Sequence, residues 1–304
     1  MCANVPSVAL LDVIMGYDCN LGCDYCTITP EMRRRALSSG AIVAQLDEGR
    51  RRGYDAVSFT GGEPTIRPDL LGLIRAARDR GYRDIKVQSN GLMFASAANV
   101  DRIIDAGANR FHVSIHTHEA AAYDRLVRRD QSHPLMVGGL DNLIAKQVRL
   151  TVDVILKSDT YPRLLDALAW LVARGVRTVH LWFVSLTDGN ADNLESMPRM
   201  TEVMPIVHQA FAWARAHDLA LRSLHIPRCL LGDDAGHALD PGSDHGGQVR
   251  VVTPDATFEL RESKLSGQRQ VSACKRCVHQ AICPGLRDDY LRRYGDSEIV
   301  AVVQ

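Results

Sequence analysis

Short apolar segments alternate with amphipathic segments along much of this chain of 304 residues. The apolar segments have the length and composition of buried strands, and the amphipathic ones have the periodicity of helices. We predict strands at residues 8–15, 56–60, 84–89, 110–116, 149–156 and 176–184. We predict helices at residues 38–53, 68–81, 96–107, 119–128, 135–147, 162–175 and 200–217. This alternation is typical of an α/β fold in which helices cover a parallel sheet.

The positions of three polar motifs favour a barrel over a doubly wound sheet. A cysteine-rich loop follows the first predicted strand, the run Gly61-Gly62-Glu63-Pro64 follows the second, and Ser89-Asn90-Gly91 ends the third. The carboxyl ends of parallel strands lie at one edge of a sheet, and barrels carry their sites at that edge. We therefore predict a partial (β/α)6 barrel of the TIM type over residues 1–218.

The pattern changes in the last part of the chain. Extended runs at residues 220–226, 248–252 and 257–261 flank a stretch rich in Gly and Asp, residues 232–247, which we interpret as a mobile loop. A short helix is predicted at residues 286–294. A region of roughly 85 residues is small for an apolar core to stabilise alone. We expect a small α+β appendage over residues 219–304 that an iron–sulfur site stabilises.

Three cysteines near the start of the chain, Cys19, Cys23 and Cys26, have the spacing C-x3-C-x2-C. Cysteine clusters in a reducing compartment are metal sites rather than disulfides, and thiolates select zinc or iron–sulfur centres. Closed structural sites carry four protein ligands. A four-iron cubane bound by three thiolates keeps one iron open for a ligand from outside the protein. The three-cysteine loop therefore indicates a reactive cluster.

The run Gly61-Gly62-Glu63-Pro64 is the second motif. Paired glycines let the backbone approach a ligand closely, Pro64 constrains the turn, and Glu63 offers a carboxylate to an ammonium donor. Taken alone, the run is equally an ordinary turn with an exposed glutamate. Its position one strand after the cysteine loop favours a ligand site.

The cysteine loop, with Tyr25 before its last cysteine, and the run 61–64 together resemble the motifs of the radical S-adenosylmethionine (radical SAM) superfamily. The resemblance covers residues 8 to about 190 in element order. It implies that Cys19, Cys23 and Cys26 bind a [4Fe–4S] cluster whose open iron holds S-adenosylmethionine (SAM). It also implies that SAM is cleaved reductively to a 5′-deoxyadenosyl radical, which abstracts a hydrogen atom from the substrate.

The resemblance further implies the residues that contact SAM. Gly61, Gly62, Glu63 and Pro64 would line its amino group, and Asn90 and Ser114 would contact its carboxylate or ribose. The fourth strand ends in Ser114-Ile115-His116, where many relatives have Ser-x-Asp. The role of His116 is therefore open.

Four more cysteines lie late in the chain: Cys229, Cys274, Cys277 and Cys283. The core C-x2-C-x5-C resembles the auxiliary-cluster domain, called SPASM or in its shorter form twitch, that many radical SAM enzymes carry. Position 287, where another cysteine would follow in the full form, is arginine, so we expect one auxiliary [4Fe–4S] cluster. Two alternatives stay open. The cysteines could bind a structural zinc ion, or three of them could be ligands while Cys229 is a free hydrogen-atom donor.

Strand parity predicts which side chains face the barrel interior, because alternate side chains point to opposite faces. The inward residues are Lys86, Gln88, Asn90, His112, Ser114, His116, Thr151, Asp153, Lys157, His180 and Trp182. Barrels are normally filled by apolar side chains, so this polar set predicts a ligand cavity rather than a core. Asp153 and His180 are the candidates for catalytic contact with a substrate.

Residues 33–35 are three consecutive arginines. We interpret them as a solvent-exposed charge run.

We expect the enzyme to oxidise or otherwise modify a small molecule, with the auxiliary cluster accepting an electron. The alternatives are maturation of a ribosomally made peptide by crosslinking, epimerisation with Cys229 as hydrogen donor, and a non-catalytic iron–sulfur electron carrier. Only 18 residues precede Cys19, which leaves no room for a peptide-recognition domain and favours a small molecule. The expected partners are the substrate and an electron donor such as flavodoxin or ferredoxin.

Charge and the start of the chain limit the other partners. Lys plus Arg and Asp plus Glu each number 36, so no basic surplus indicates nucleic-acid binding. The first residues lack the pattern of a signal peptide, and the apolar run that follows is too short to span a bilayer. We expect a cytoplasmic protein that binds neither nucleic acid nor membrane. Cys2 we interpret as a terminal residue without a role.

Overall fold

The computed structural model of the protein describes residues 9–239, 248–260 and 267–303. Cys2 and residues 240–247 of the stretch rich in Gly and Asp lie outside these ranges. The described part of that stretch is ordered into a short 3-10 helix, Gly232–His237, and a strand, Ala238–Leu239. The interpretation of these residues as a mobile loop is therefore wrong for residues 232–239.

The strands are β1 (Leu10–Ile14), β2 (Ala56–Thr60), β3 (Asp84–Ser89), β4 (Arg110–Ser114), β5 (Arg149–Leu156), β6 (Thr178–Phe183), β7 (Ala220–Leu224), β8 (Ala238–Leu239), β9 (Val249–Val252), β10 (Thr257–Glu259), β11 (Gln268–Arg269) and β12 (Leu286–Arg287). The helices are α1 (Ser39–Arg51), α2 (Leu70–Asp79), α3 (Ala97–Ala106), α4 (Ala120–Val127), α5 (Ser132–Ala145), α6 (Leu164–Arg174), α7 (Met200–Ala216), α8 (Arg228–Leu231) and α9 (Asp288–Tyr294). Each strand and helix predicted up to residue 217 is confirmed, with ends shifted by a few residues.

The helix ends follow local sequence signals. Ser38 caps α1, since its side chain accepts a hydrogen bond from the backbone N–H of Ala41. Helices α3 and α6 end at Gly107 and Gly175, whose φ angles are +126° and +106°. Glycine adopts such backbone angles without steric cost, so these two residues let the chain turn back towards the next strand.

Ten strands form one sheet in the order β10-β9-β1-β2-β3-β4-β5-β6-β7-β8. Neighbouring strands from β1 to β8 are parallel, β9 is parallel to β1, and β10 is antiparallel to β9. The order from β1 to β8 follows the chain without the reversal that defines doubly wound sheets. The prediction of an α/β fold with a mostly parallel sheet is confirmed.

The sheet continues beyond the six strands of the predicted barrel. Strand β7, which the sequence pattern assigns to the appendage, pairs in parallel with β6, with Val179 opposite Leu221. Strands β8, β9 and β10 extend the same sheet at its two edges. The boundary predicted at residue 218 therefore runs through the sheet. After residue 217 the sequence no longer alternates strands with long helices, but strands β7, β8, β9 and β10 still join the same sheet.

The two faces of the sheet differ in polarity. On the face towards the helices, Phe111 and Val113 are fully buried, and the Phe111 ring packs edge-on against Phe94 at 5.7 Å. The opposite face, which we call the inner face, carries polar residues at alternate positions, among them His112 and Asp153. Within the described ranges, no helix is long and apolar enough to cross a membrane.

Candidate active site

The loop after β1 carries Cys19, Cys23 and Cys26, and Arg33 braces it. Arg33 Nη1 donates a hydrogen bond to the carbonyl oxygen of Cys19 at 3.0 Å, and Nη2 donates one to that of Leu21 at 2.7 Å. The prediction that residues 33–35 are only a solvent-exposed charge run is wrong for Arg33. A guanidinium has several N–H donors in one plane, so it can satisfy two carbonyls of a loop that lacks regular structure.

The thiols of this loop lie close enough to affect one another's ionisation. Burial raises the pKa of Cys23 to about 12, and the charges of Cys26 and Cys19 act in the same direction. Burial also raises the pKa of Cys19. Such thiols keep their protons at neutral pH, and a bound metal cation that replaces the proton stabilises the thiolate.

The two glycines after β2 pack against the segment that leads into the cysteine loop. The N–H of Gly62 donates to the carbonyl oxygen of Gly16 at 2.9 Å, and that of Glu63 donates to the carbonyl oxygen of Asp18 at 2.8 Å. A Cβ atom on Gly62 would lie 2.0 Å from the Asp18 oxygen. The glycines therefore allow close approach of two backbone segments, and this contact positions the residue before Cys19.

The side chain of Glu63 is 2% exposed and accepts hydrogen bonds at both carboxylate oxygens. Oε1 accepts from Thr65 N at 3.0 Å, Thr65 Oγ1 at 2.5 Å and Ser89 Oγ at 2.9 Å, while Oε2 accepts from Asn90 N at 2.7 Å. Burial raises the pKa of Glu63, and these hydrogen bonds oppose that shift. The carboxylate ties the turn after β2 to the end of β3. Its contact with the amino group of SAM stays a prediction.

Asn90 and Ser114 lie at the carboxyl ends of β3 and β4. Asn90 Nδ2 donates to Asn20 Oδ1 at 2.7 Å and lies 4.0 Å from the Sγ atom of Cys19. Ser114 is on the inner face, opposite Asp153 in the register of β4 and β5. Both predicted SAM contacts therefore lie on the edge of the sheet that carries the cysteine loop.

His116 connects this edge of the sheet to the cysteine loop. Its Nδ1 accepts a hydrogen bond from the N–H of Ile155 at 3.0 Å, and its Nε2 lies 2.6 Å from Tyr25 Oη. Because Nδ1 is an acceptor, the neutral ring carries its proton on Nε2 and donates it to Tyr25. Tyr25 is in turn hydrogen-bonded to Cys23. Burial lowers the pKa of His116 to about 4, which keeps the ring neutral.

Asp153 and His180 lie together on the inner face, and His112 joins them. Trp182 Nε1 donates to Asp153 Oδ1 at 3.1 Å. Burial would raise the pKa of Asp153, but its contacts with His112, His180 and Trp182 hold that pKa below its usual value. Burial lowers the pKa of His112. Strand parity predicts that His112 faces inward, but only the structure shows that its Nδ1 lies 3.6 Å from Asp153 Oδ2.

The four late cysteines line one cavity, together with His279 and Gln270. Cys229 reaches it from α8, and burial raises the pKa of its thiol to about 11, with the charges of the other three cysteines acting in the same direction. Gln270 Nε2 donates to the carbonyl oxygens of Gln280 at 2.6 Å and Cys283 at 2.9 Å. This side chain bridges the two sides of the late cysteine loop.

The spacing of the cysteine sulfurs bears on what they can bind. In residues 9–239, 248–260 and 267–303, which include seven of the eight cysteines, no three cysteine Sγ atoms all lie within 4.8 Å of one another. A zinc ion with bonds of about 2.3 Å holds four thiolates roughly 3.8 Å apart. A cubane spreads its ligands over separate iron corners and so takes thiolates that lie farther apart.

The model of the radical SAM superfamily matches residues 13–188, which include the three-cysteine loop and the run 61–64. The chain belongs to the radical SAM superfamily. Membership implies that this radical SAM protein uses a [4Fe–4S] cluster and SAM. The donor set fits that pair, because one loop at the carboxyl edge of the sheet carries three thiols, and Cys19 Sγ lies 4.0 Å from Asn90 Nδ2.

Curated relatives match parts of this radical SAM protein. It is 25% identical over 231 residues to a Sulfurisphaera tokodaii protein named "Probable GTP 3′,8-cyclase", a match that covers 75% of this chain and 71% of that one. It is 30% identical over 180 residues to the GTP 3′,8-cyclase of Klebsiella pneumoniae, covering 56% of this chain and 52% of that one. The chain thus spans about half of the Klebsiella protein.

Structural similarity to a solved protein covers more of the chain than the sequence similarity to the curated relatives does. The structure of Streptococcus suis SuiB bound to its precursor peptide SuiA superposes with a TM-score of 0.69 at 12% identity, covering 98% of this chain and 76% of SuiB. At this identity the likeness shows a shared fold alone. It includes the region that carries the late cysteines.

Proposed function

We propose that this radical SAM protein oxidises or otherwise modifies a small molecule and binds two [4Fe–4S] clusters. Cys19, Cys23 and Cys26 hold the first cluster. When bound there and reduced by an external electron donor, the cluster would supply the one electron needed to cleave SAM to methionine and a 5′-deoxyadenosyl radical, the group that would take a hydrogen atom from the substrate. The brace from Arg33 and the contacts of the glycine run support this assignment, because the first fixes the cysteine loop internally and the second holds its start at one edge of the sheet.

The SAM site of this proposal lies beside that loop, over a sheet that curves into a partial barrel. The run Gly61–Pro64 lines the amino group, with Glu63 holding the run in place through its four hydrogen bonds. Asn90 and Ser114 contact the carboxylate or ribose. Asp153 and His180, farther down the inner face, contact the substrate.

The single observation that carries the proposal of a second cluster is the convergence of Cys229, Cys274, Cys277 and Cys283 on one cavity. Four thiolates are a full ligand set for a cubane, which supports an auxiliary cluster in a SPASM- or twitch-like region. Four protein ligands close all its corners, so this cluster would supply an electron acceptor rather than a binding site for substrate. Cys229 is then a ligand and not a free hydrogen donor.

The cluster assignment is tested by iron and sulfide analysis with Mössbauer spectroscopy on anaerobically reconstituted protein. Wild type is expected to hold about eight irons per chain as two cubanes. The Cys19/Cys23/Cys26→Ala variant is expected to keep about four, and so is the Cys229/Cys274/Cys277/Cys283→Ala variant. If the first variant loses all iron and holds zinc instead, the auxiliary cluster is excluded.

The activity is tested by incubating reduced protein with SAM and measuring 5′-deoxyadenosine by mass spectrometry. The Cys19/Cys23/Cys26→Ala variant is expected to form none. A small-molecule fraction that raises the yield, and that loses two hydrogens in the product, supports oxidation. If only a peptide raises the yield, the substrate class proposed here is wrong. SAM that is neither bound nor cleaved would make the protein an electron carrier.

A further inference from the structure

Three buried side chains from adjacent strands converge on the inner face. They are His112 on β4, Asp153 on β5 and His180 on β6, exposed by 7%, 4% and 8%. Asp153 lies directly opposite His180 in the register of β5 and β6. His112 is two residues before Ser114, which is the β4 residue opposite Asp153. Side chains from alternate positions of three strands therefore meet in one layer of the inner face.

The distances in this group are those of metal ligands rather than hydrogen-bond partners. His112 Nδ1 lies 3.6 Å from Asp153 Oδ2, and His180 Nδ1 lies 3.7 Å from Asp153 Oδ1. One ligand atom of each residue lies within 4.8 Å of the other two. Both separations are too long for an N–H···O hydrogen bond. A tetrahedral ion with bonds of about 2.1 Å spaces its nitrogen and oxygen ligands roughly 3.4 Å apart.

Two polar atoms of the group are buried without a hydrogen-bond partner, Asp153 Oδ2 and His112 Nε2. An unsatisfied buried polar atom is destabilising, which disfavours a core arrangement that exists only for stability. Trp182 Nε1, by contrast, donates to Asp153 Oδ1 at 3.1 Å and orients the carboxylate. Carboxylates that bind metals are typically oriented by such an outer hydrogen bond.

We infer that His112, Asp153 and His180 bind a divalent first-row transition-metal ion. Two imidazoles and one carboxylate suit zinc, iron(II), cobalt(II) or manganese(II), and they differ from the thiolates of both cysteine sites. Three protein ligands leave at least one position open for water or for an oxygen of a ligand, such as a carboxylate or phosphate group. In the parts of the chain that the structure describes, no other group of His, Cys, Asp and Glu has this spacing. The inference rests on this geometry and does not depend on the proposed function.

The test uses the full chain with its cysteine sites loaded with iron and sulfide, and zinc chloride as the only added metal. After dialysis, wild type is expected to retain one zinc per chain. Zinc K-edge absorption spectroscopy is expected to show nitrogen and oxygen neighbours at about 2.0–2.2 Å, with imidazole scattering and no sulfur. Zinc that is absent, or that has sulfur neighbours, overturns the inference without the need for any variant.

Two variants locate the ion. Asp153→Asn and His180→Gln are each expected to weaken zinc retention by more than roughly 100-fold, the upper end of the loss caused by an outer-shell change. Thr151→Val is the matched control, since Thr151 is a buried residue of the same strand and is opposite His112. It is expected to retain zinc as wild type does. Full retention in Asp153→Asn would show that the three residues are only a polar core.

Discussion

The two cysteine sites of this radical SAM protein differ in how the rest of the chain holds them. The start of the first loop is tied to the main sheet by the backbone of Gly62 and Glu63, and the side chain of Arg33 braces the loop from within. The late cysteines lie among two-residue strands and a 3-10 helix, Ser272–Arg276, where Val278 and Ile282 are 48% and 59% exposed. We therefore expect the second site to depend more strongly than the first on a bound group.

The largest effect is expected from removing ligands of the late site. Cys274→Ala combined with Cys277→Ala should increase hydrogen exchange of peptides from residues 268–294 by roughly 1,000-fold, because structural metal binding supplies folding free energy. The comparison variant, Cys19→Ala combined with Cys23→Ala, should change exchange in the first loop by less than roughly 10-fold. Exchange is measured by mass spectrometry. Equal effects in both loops would remove the distinction between the two sites.

The first site should instead be sensitive to its backbone contacts. Gly62→Ala places a Cβ atom 2.0 Å from the Asp18 carbonyl oxygen, so we expect a loss of about 3 kcal/mol in the free energy of unfolding. Iron at the first site should be lost, and the proposed late cluster should be kept.

Gly72 provides the matched control, because a Cβ atom there meets nothing within 4 Å. Gly72→Ala in the exposed face of α2 should stabilise the protein by roughly 0.5–1 kcal/mol through helix propensity. Denaturant titration measures both variants. A Gly62→Ala protein as stable as wild type would show that the contact with Asp18 does not position the loop.

Acid should weaken the side of the molecule next to the late site. His225 contacts the Phe183 carbonyl oxygen and is affected by Arg287 of β12, and burial lowers its pKa to about 4. The unfolded chain, with a pKa of about 6.5, therefore binds the proton first, and stability is lost as the pH falls from 6.5 towards 4. From pH 7 to pH 5 this one group should cost about 2 kcal/mol.

The variant that tests this is His225→Asn. The φ angle of residue 225 is +69°, a conformation that asparagine tolerates better than most residues. The decline in unfolding free energy between pH 7 and pH 5 should shrink by about 2 kcal/mol in denaturant titrations. An unchanged decline would mean that His225 does not remain neutral in the folded protein.

The smallest effect is expected at the brace of the first loop. Arg33→Lys keeps the charge but cannot donate to the carbonyls of Cys19 and Leu21 with the same planar geometry, which should cost about 1 kcal/mol. Iron should be released faster from the first site on addition of a chelator. Arg34→Lys is the control, because Arg34 is exposed. Equal release rates for the two variants would argue against the brace.

Sequence patterns predicted the elements that have local signals. The strand and helix order up to residue 217 and the inward position of His112 both follow from periodicity. The sheet to which β7 belongs could not be predicted, because an extended run carries no information about which sheet it joins. Arg33 was missed for a similar reason, since a run of arginines is the same in sequence whether one of them bonds a loop or all are solvated.

The sequence by itself determined the α/β alternation and the two sets of cysteines, because period and spacing are properties of the chain alone. Only the tertiary structure decided that Gly62 packs on Asp18, that Glu63 accepts four hydrogen bonds, and that His112 meets Asp153. Apart from the two hydrogen bonds from Thr65 to Glu63, these contacts join segments far apart in sequence. Their geometry depends on strand register and on competition among buried polar groups for partners, which no local pattern records.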